Sequence, residues 1–223
     1  MDRSEAVPLP TVVVRGEVNR EVPPEIATVT VTLAARDRER QAVLTRLAER
    51  SAALGVVLEG YSAAIEKRET GGVYVYPETK GPGERVVGYR GGVTVQLTVT
   101  DFAVLGDLVL RLADQDQISV SGPYWALRPD SRAYRAARHD AIGDALTRAR
   151  EYAEALGSRV VRLVQLADSG LGDRGAAGGL GAQPGMRAMT AMDSAVSLEL
   201  EPRQQRVYAS VEARFQITEP PQL

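Results

Sequence analysis

The sequence predicts an α+β fold: a largely antiparallel sheet packed by two long helices and one short one. Three observations carry this. Residues 27–33 and 207–217 alternate apolar and polar side chains with period two, as strands with one buried face do. Residues 131–156 return Tyr134, Ala137, Ala141, Ile142, Ala145, Leu146, Ala149, Tyr152, Ala153 and Leu156 to one helical face. The runs in chain order read strand, strand, helix, strand, strand, helix, strand, helix, strand, strand, strand, an order that lays helices on sheet.

The first strand, residues 11–14, is a β-branched run closed by Gly16, and Pro23-Pro24 forces an extended connection after it. In the next strand Ala27, Val29, Val31 and Leu33 face inward between Thr28, Thr30 and Thr32. Residues 38–59 change to helical spacing, with Val43, Leu44, Leu47, Leu54 and Leu58 inward and Arg40, Arg46, Glu49 and Arg50 outward; Gly55 marks the place for a break. Residues 61–69 read as extended, interrupted by Gly71-Gly72 before residues 73–76. Residues 77–84, with Gly81-Pro82-Gly83 inside, read as an exposed loop between antiparallel strands. Val87, Tyr89, Val93, Val95, Leu97 and Val99 then share one strand face, opposite Thr94, Gln96 and Thr98.

Asp101 is placed to cap a short helix over 102–112, with Phe102, Leu105, Leu108, Val109 and Leu112 inward. The strand over 118–127 has Ile118 and Val120 on one parity but Trp125 and Leu127 on the other. This predicts a bulge at Gly122-Pro123 or an edge position. The long helix over 131–156 has its start at Pro129-Asp130 and a left-handed stop at Gly157. Burying its larger apolar side chains is worth roughly 1.5–3 kcal/mol each, against a few tenths for a surface pair such as Asp144 with Arg148, so packing fixes the helix.

A strand over 159–167 follows, then a short one marked by Val196, Leu198 and Leu200, and a last one with Val207, Ala209, Val211, Ala213, Phe215 and Ile217 inward. Residues 169–193, rich in Gly, Ala and Met, predict a mobile loop. The domain expected is 11–219, with tails at 1–10 and 220–223. Residues 27–68 and 93–128 each run strand, helix, strand, which suggests a duplicated unit.

Composition excludes several classes. A chain of 223 residues buries a sizeable core without staples, and the absence of cysteine removes disulfides and thiolate metal sites. A net charge of −2 provides no field for nucleic acid or anionic lipid. No window approaches the roughly 20 apolar residues of a membrane span, and the first ten residues hold no leader-like apolar stretch, so a cytoplasmic protein is expected.

The motifs nominate no catalytic, cofactor-binding or metal residue. Gly170, Gly172 and Gly175 form a G-x-G-x-x-G that runs into further glycines and Pro184, not into the helix that would hold a pyrophosphate. His139, the only histidine, sits on the long helix beside the apolar stripe. Ser131 lies about 12 Å from it along the helix axis at 1.5 Å per residue, and no G-x-S-x-G elbow occurs. Asp114 and Asp116 make a D-x-D without the rest of a calcium loop, and read as a solvated turn.

Taken in order, Val12-Val13-Val14-Arg15-Gly16, then Pro24-Glu25-Ile26-Ala27, make a pattern with Gly88-Tyr89-Arg90, Val93-Thr94-Val95 and Asp101. Trp125-x-Leu127 continues it, followed by Ala145, Ala149-Arg150, Ala153, Leu156-Gly157, residues 160–166 and the 207–217 strand. This series resembles the SIMPL domain family over nearly the whole chain. Val18 stands where relatives commonly have a second glycine, and the export signal common among them is not seen here.

The resemblance implies an α+β chain that assembles into homo-oligomers, without a recognised catalytic residue set and with associations to oxidative stress. Two readings follow: a non-enzymatic self-associating scaffold or stress accessory protein, or a small-ligand binding protein or uncharacterised enzyme with a pocket between sheet and helices. In the second, the 169–193 loop would close the pocket. Met186, Met189 and Met192 within that loop would then line an apolar groove or respond to oxidants, although the composition of the loop favours disorder or a frayed turn.

Overall fold

The computed structural model describes residues 9–81, 85–168 and 198–221. The 169–193 loop, with its glycine motif and three methionines, lies outside the described residues, as does Val196. In chain order the elements are β1 (Thr11–Val22), β2 (Ile26–Asp37), α1 (Arg40–Glu59), β3 (Ile65–Lys80), β4 (Arg85–Val99), α2 (Leu105–Ala113), β5 (Ile118–Ala126), α3 (Arg132–Ala155), β6 (Val160–Asp168) and β7 (Gln205–Ile217). The fold is α+β, as expected. The described residues form two compact units: residues 9–22, 129–168 and 206–221 make one, and residues 23–128 with 198–205 make the other, inserted in sequence between β1 and α3.

In the inserted unit the sheet order is β3-β4-β2-β5, and every neighbouring pair is antiparallel. Thus β2 and β3 run parallel with β4 between them, and β4 and β5 run parallel with β2 between them. Each pair is joined by one helix, so the unit is a double split βαβ of ferredoxin-like topology. The suggested strand-helix-strand repeat is realised in this connectivity.

Period-two patterning works as read. Ala27, Val29, Val31 and Leu33 of β2 and Val93, Val95, Leu97 and Val99 of β4 are buried in one core with Val43, Leu47, Leu54 and Leu58 of α1 and Leu105, Leu108 and Leu112 of α2. Leu44 does not join them and is 39% exposed. α1 passes through Gly55 without a break; a mid-helix glycine costs about 1 kcal/mol, less than burying its neighbours Leu54 and Leu58 returns.

β3 likewise continues through Gly71-Gly72, absorbing them in a register shift between Thr70 and Gly72. It also takes in residues 77–80, which had read as loop. α2 starts at Leu105, later than expected. The Asp101 carboxylate accepts from Ala103 N–H at 3.0 Å in the preceding turn, and Val104 holds the cap position.

The expected bulge is present, and β5 is also an edge strand. Thr28 pairs with Tyr124 but Thr30 with Ser121, which leaves one extra residue on β5 around Gly122, at φ +116°. The shift brings Trp125 opposite Ala27, on the core face, where its ring meets Phe102 edge-on at 4.8 Å.

The other unit is a three-stranded sheet, β1-β7-β6, with α3 against it. β7 buries the six residues expected, and Ser210, expected outward, is buried too. The broad apolar stripe foreseen on α3 is narrower in fact. Its buried residues are Ala137, Ala141, Ala145, Ala149 and Ala153, whereas Ile142 and Tyr152 are 40% and 54% exposed. Alanines four apart let the helix axis approach the sheet closely. At Gly16 of β1 the approach is so tight that a methyl group there would sit 2.0 Å from the Ala141 carbonyl oxygen and 2.5 Å from the Ala145 nitrogen.

Ser131, not Asp130, caps α3, its hydroxyl accepting from Ala133 N–H at 3.2 Å. Gly157, at φ +65°, ends the helix as expected: its N–H reaches the Glu154 carbonyl at 2.9 Å and Ser158 N–H reaches that of Ala153 at 2.8 Å, a Schellman pattern. Residues 198–204 form no strand. They pack instead on the inserted unit, with the Leu198 carbonyl oxygen only 2.0 Å from where a methyl on Gly106 of α2 would be.

Candidate functional site

The residues singled out by sequence are divided between the units, Ser131 and His139 in one and Asp114 and Asp116 in the other. His139 is exposed on α3. The Ser131 hydroxyl is committed to the helix cap, which is a structural role. Asp114 is the C-terminal cap residue of α2 and Asp116 is exposed in the turn beyond it. Among the described residues no group of three or more His, Cys, Asp or Glu side chains is placed to hold a metal ion.

The most organised polar cluster is one that pattern reading did not find, in the inserted unit. Arg128 grips Glu66 with two guanidinium N–H groups, one bond measuring 2.7 Å, and its backbone N–H donates to the Glu25 carboxylate at 2.9 Å. These bonds tie the end of β5 to the segments that open β2 and β3. The Arg128 hydrogen bond holds the Glu66 carboxyl below the usual carboxylate range. A carboxylate kept ionised by a bidentate arginine is poorly suited to proton transfer near neutrality, so this is a clasp. A second clasp joins Tyr61 to Asp107 of α2. Burial first, and the Asp107 bond after it, push the phenol above its ordinary range.

The sheet registers place the side chains across the inserted unit's second face, three rows of which are mostly polar. Across it run Lys67, Thr98, Thr28 and Tyr124; then Glu69, Gln96, Thr30 and Ser121; then Gly72, Thr94, Thr32 and Ser119. Its two central strands carry threonines where a sheet that stacks nucleobases carries aromatics. A stacked pair on this face, Tyr74 and Tyr76 at 5.3 Å, lies on edge strand β3, with Tyr76 in the row of Arg90 and Arg36.

In the other unit two shallow hollows flank the ends of α3. One, of about 390 Å³, is walled by Asp130, Ser131, Arg132, Tyr134, Arg135 and Arg138; the other, of about 510 Å³, by Arg150, Glu154, Ser158 and Arg159 among others. The edge strand β6 is more unusual. Val161, Leu163, Val164 and Leu166 are 44–51% exposed, although Leu163 and Leu166 pair with the inward residues Phe215 and Ala213 of β7.

The geometry defines a two-unit α+β protein whose described residues carry structural clasps and an exposed apolar edge. Residues 12–215 match the family described as SIMPL, protein of unknown function (DUF541), and the chain belongs to that family. No curated protein matches the sequence. No helix among the described residues is long and apolar enough to cross a membrane.

Proposed function

We propose that this protein is a non-catalytic, self-associating scaffold with a stress-associated accessory role. The observation that supports the reading is β6: an edge strand with four half-exposed aliphatic side chains, no proline, and an Arg162 whose guanidinium is turned onto Gln216 of β7. Edge strands of monomers are ordinarily blunted by charge or proline, because their free backbone groups and apolar side chains invite another chain. The two register shifts in β6, between Val160 and Arg162 and between Leu163 and Gln165, blunt its backbone but leave the apolar surface open.

The test is the native mass by size-exclusion chromatography with light scattering over a range of concentrations. A discrete oligomer that persists on dilution is expected. Leu163→Gln with Leu166→Gln should lower that mass while changing fold stability by no more than about 0.5 kcal/mol, as is usual for surface positions. A stable monomer of 24.0 kDa at all concentrations would refute self-association. The second reading, a small-molecule binder, draws its support from the hollow of about 510 Å³ beside Arg150 and Arg159. It predicts a metabolite that raises the melting temperature of the intact protein.

A further inference from the structure

The hollow of about 510 Å³ at the carboxyl end of α3 has a fixed base. That base is the turn Gly157-Ser158-Arg159, pinned from two sides. Ser158 N–H bonds to the Ala153 carbonyl at 2.8 Å and closes the helix. Arg159 N–H donates to the Thr218 hydroxyl at 3.0 Å, and the Arg159 carbonyl accepts from Thr218 N–H at 2.9 Å. Pro221 lies against Gly157, its ring 2.9 Å from where a methyl there would be. The backbone under the hollow is thus held before any ligand arrives, and a held site loses less freedom on binding.

The polar groups in its wall are uncommitted. Arg150, Glu154 and Arg159 are exposed, and none of their side chains makes an ion pair or hydrogen bond among the described residues. Arg150 and Glu154 stand one turn apart on α3 with the arginine first, the weaker order for a helical pair. Ser158 is only 5% exposed, yet its hydroxyl has no hydrogen-bond partner among the described residues. Buried hydroxyls are normally bonded, so an unpaired one in the wall of a hollow marks a missing partner. The charges are also sorted by sign. Two guanidinium groups suit a carboxylate or a phosphate. Glu154 lies in the last turn of α3, at the negative end of the helix dipole, and no basic side chain of that turn complements it. A phosphate dianion would be repelled there, whereas a solute with a carboxylate and an ammonium a few bonds apart satisfies both ends.

We propose that this hollow binds a free α-amino acid, its carboxylate held by Arg150 and Arg159 with the Ser158 hydroxyl donating to it, and its ammonium group on Glu154. This rests on the small-molecule reading and names the site and the ligand class for it.

Thermal melts of the intact protein with a panel of free L-amino acids test it. At least one should raise the melting temperature, and its amide and its N-acetyl derivative, each lacking one of the two charges, should raise it less. For that amino acid Arg150→Gln and Arg159→Gln should each weaken binding about tenfold or more by calorimetry, and Glu154→Gln should narrow its advantage over the N-acetyl derivative. Ser158→Ala should weaken binding without lowering the melting temperature of the free protein, because the hydroxyl removed is unpaired there. Both arginines are exposed, so their variants keep the fold, which an unchanged near-UV circular dichroism spectrum checks. If no amino acid shifts the melting temperature the proposal fails, and a shift by a metabolite of another class would leave the small-molecule reading standing. An amino acid that binds the Arg150→Gln, Arg159→Gln double variant as tightly as wild type would overturn this site alone.

Discussion

At the scale of single residues, two positions carry effects that neighbours in sequence do not announce. Gly16 looked like the end of a short strand, yet β1 runs on to Val22 and the glycine is the point where α3 presses on the sheet. Gly16→Ala must displace backbone, because the atoms met are the Ala141 carbonyl and the Ala145 nitrogen. We expect a loss of about 3 kcal/mol, the upper end for overpacking, seen as a fall in the urea midpoint at unchanged slope. Glu66 carries the second effect. Its carboxyl is held below the ordinary range in the folded state by Arg128. That stabilisation is therefore complete above the normal carboxylate range and is lost as pH falls through the depressed value. Glu66→Gln should flatten the acid limb of melting temperature against pH between neutrality and pH 3, relative to wild type, and an unchanged limb would show that the clasp does not contribute.

Among the elements, what was legible in the sequence depended on whether the signal was local. The β5 bulge could be read because its parity conflict is written in residues 118–127 themselves, and the pairing of Thr28 with Tyr124 and Thr30 with Ser121 resolves that conflict. Gly122→Ala should destabilise the inserted unit by about 1–3 kcal/mol, since a side chain there meets the Thr28 carbonyl at 2.7 Å in a backbone conformation of φ +116°. The α3 stripe was read too broadly, because periodicity marks the apolar face but not the depth to which the helix sinks. Only Gly16, more than a hundred residues away, reveals that alanines alone fit beneath it. Ala145→Leu is accordingly expected to cost about 1–3 kcal/mol by overpacking, while Ile142→Ser, at a residue 40% exposed, should stay within about 0.5 kcal/mol. Parallel thermal melts of the two variants check the contrast. The exposure of β6 and the Arg128–Glu66 clasp were not legible, since both depend on which strands end up at edges and ends.

For the whole molecule, the sequence pointed to α+β architecture and hinted at the strand-helix-strand repeat, but not to the nesting of one unit inside the other. Nesting is a long-range fact: β1 and β7 meet only because residues 23–128 leave and return, with Glu25 N–H bonded to the Ala126 carbonyl at 2.9 Å where the excursion closes. A chain of residues 23–128 alone should therefore fold and melt cooperatively. Its midpoint should lie below that of the same unit extended by a tethered 198–205 segment, because Leu198 packs on α2 at Gly106. Loss of near-UV circular dichroism in the isolated piece would contradict its autonomy.

The same nesting sets a timetable for synthesis. Every helix and strand from β2 to β5 has emerged once residue 128 is out, while β1 waits for a helix and a strand not yet made. From Gly16 to Val207 of β7, the strand beside β1 in the sheet, is 191 residues along the chain, roughly 10–38 s at 5–20 residues per second. During that interval Val12, Val13 and Val14 have no sheet to join. A newborn chain is thus most open to chaperone capture at its amino terminus, and stalled chains ending before α3 should hold a folded inserted unit trailing an unpaired β1.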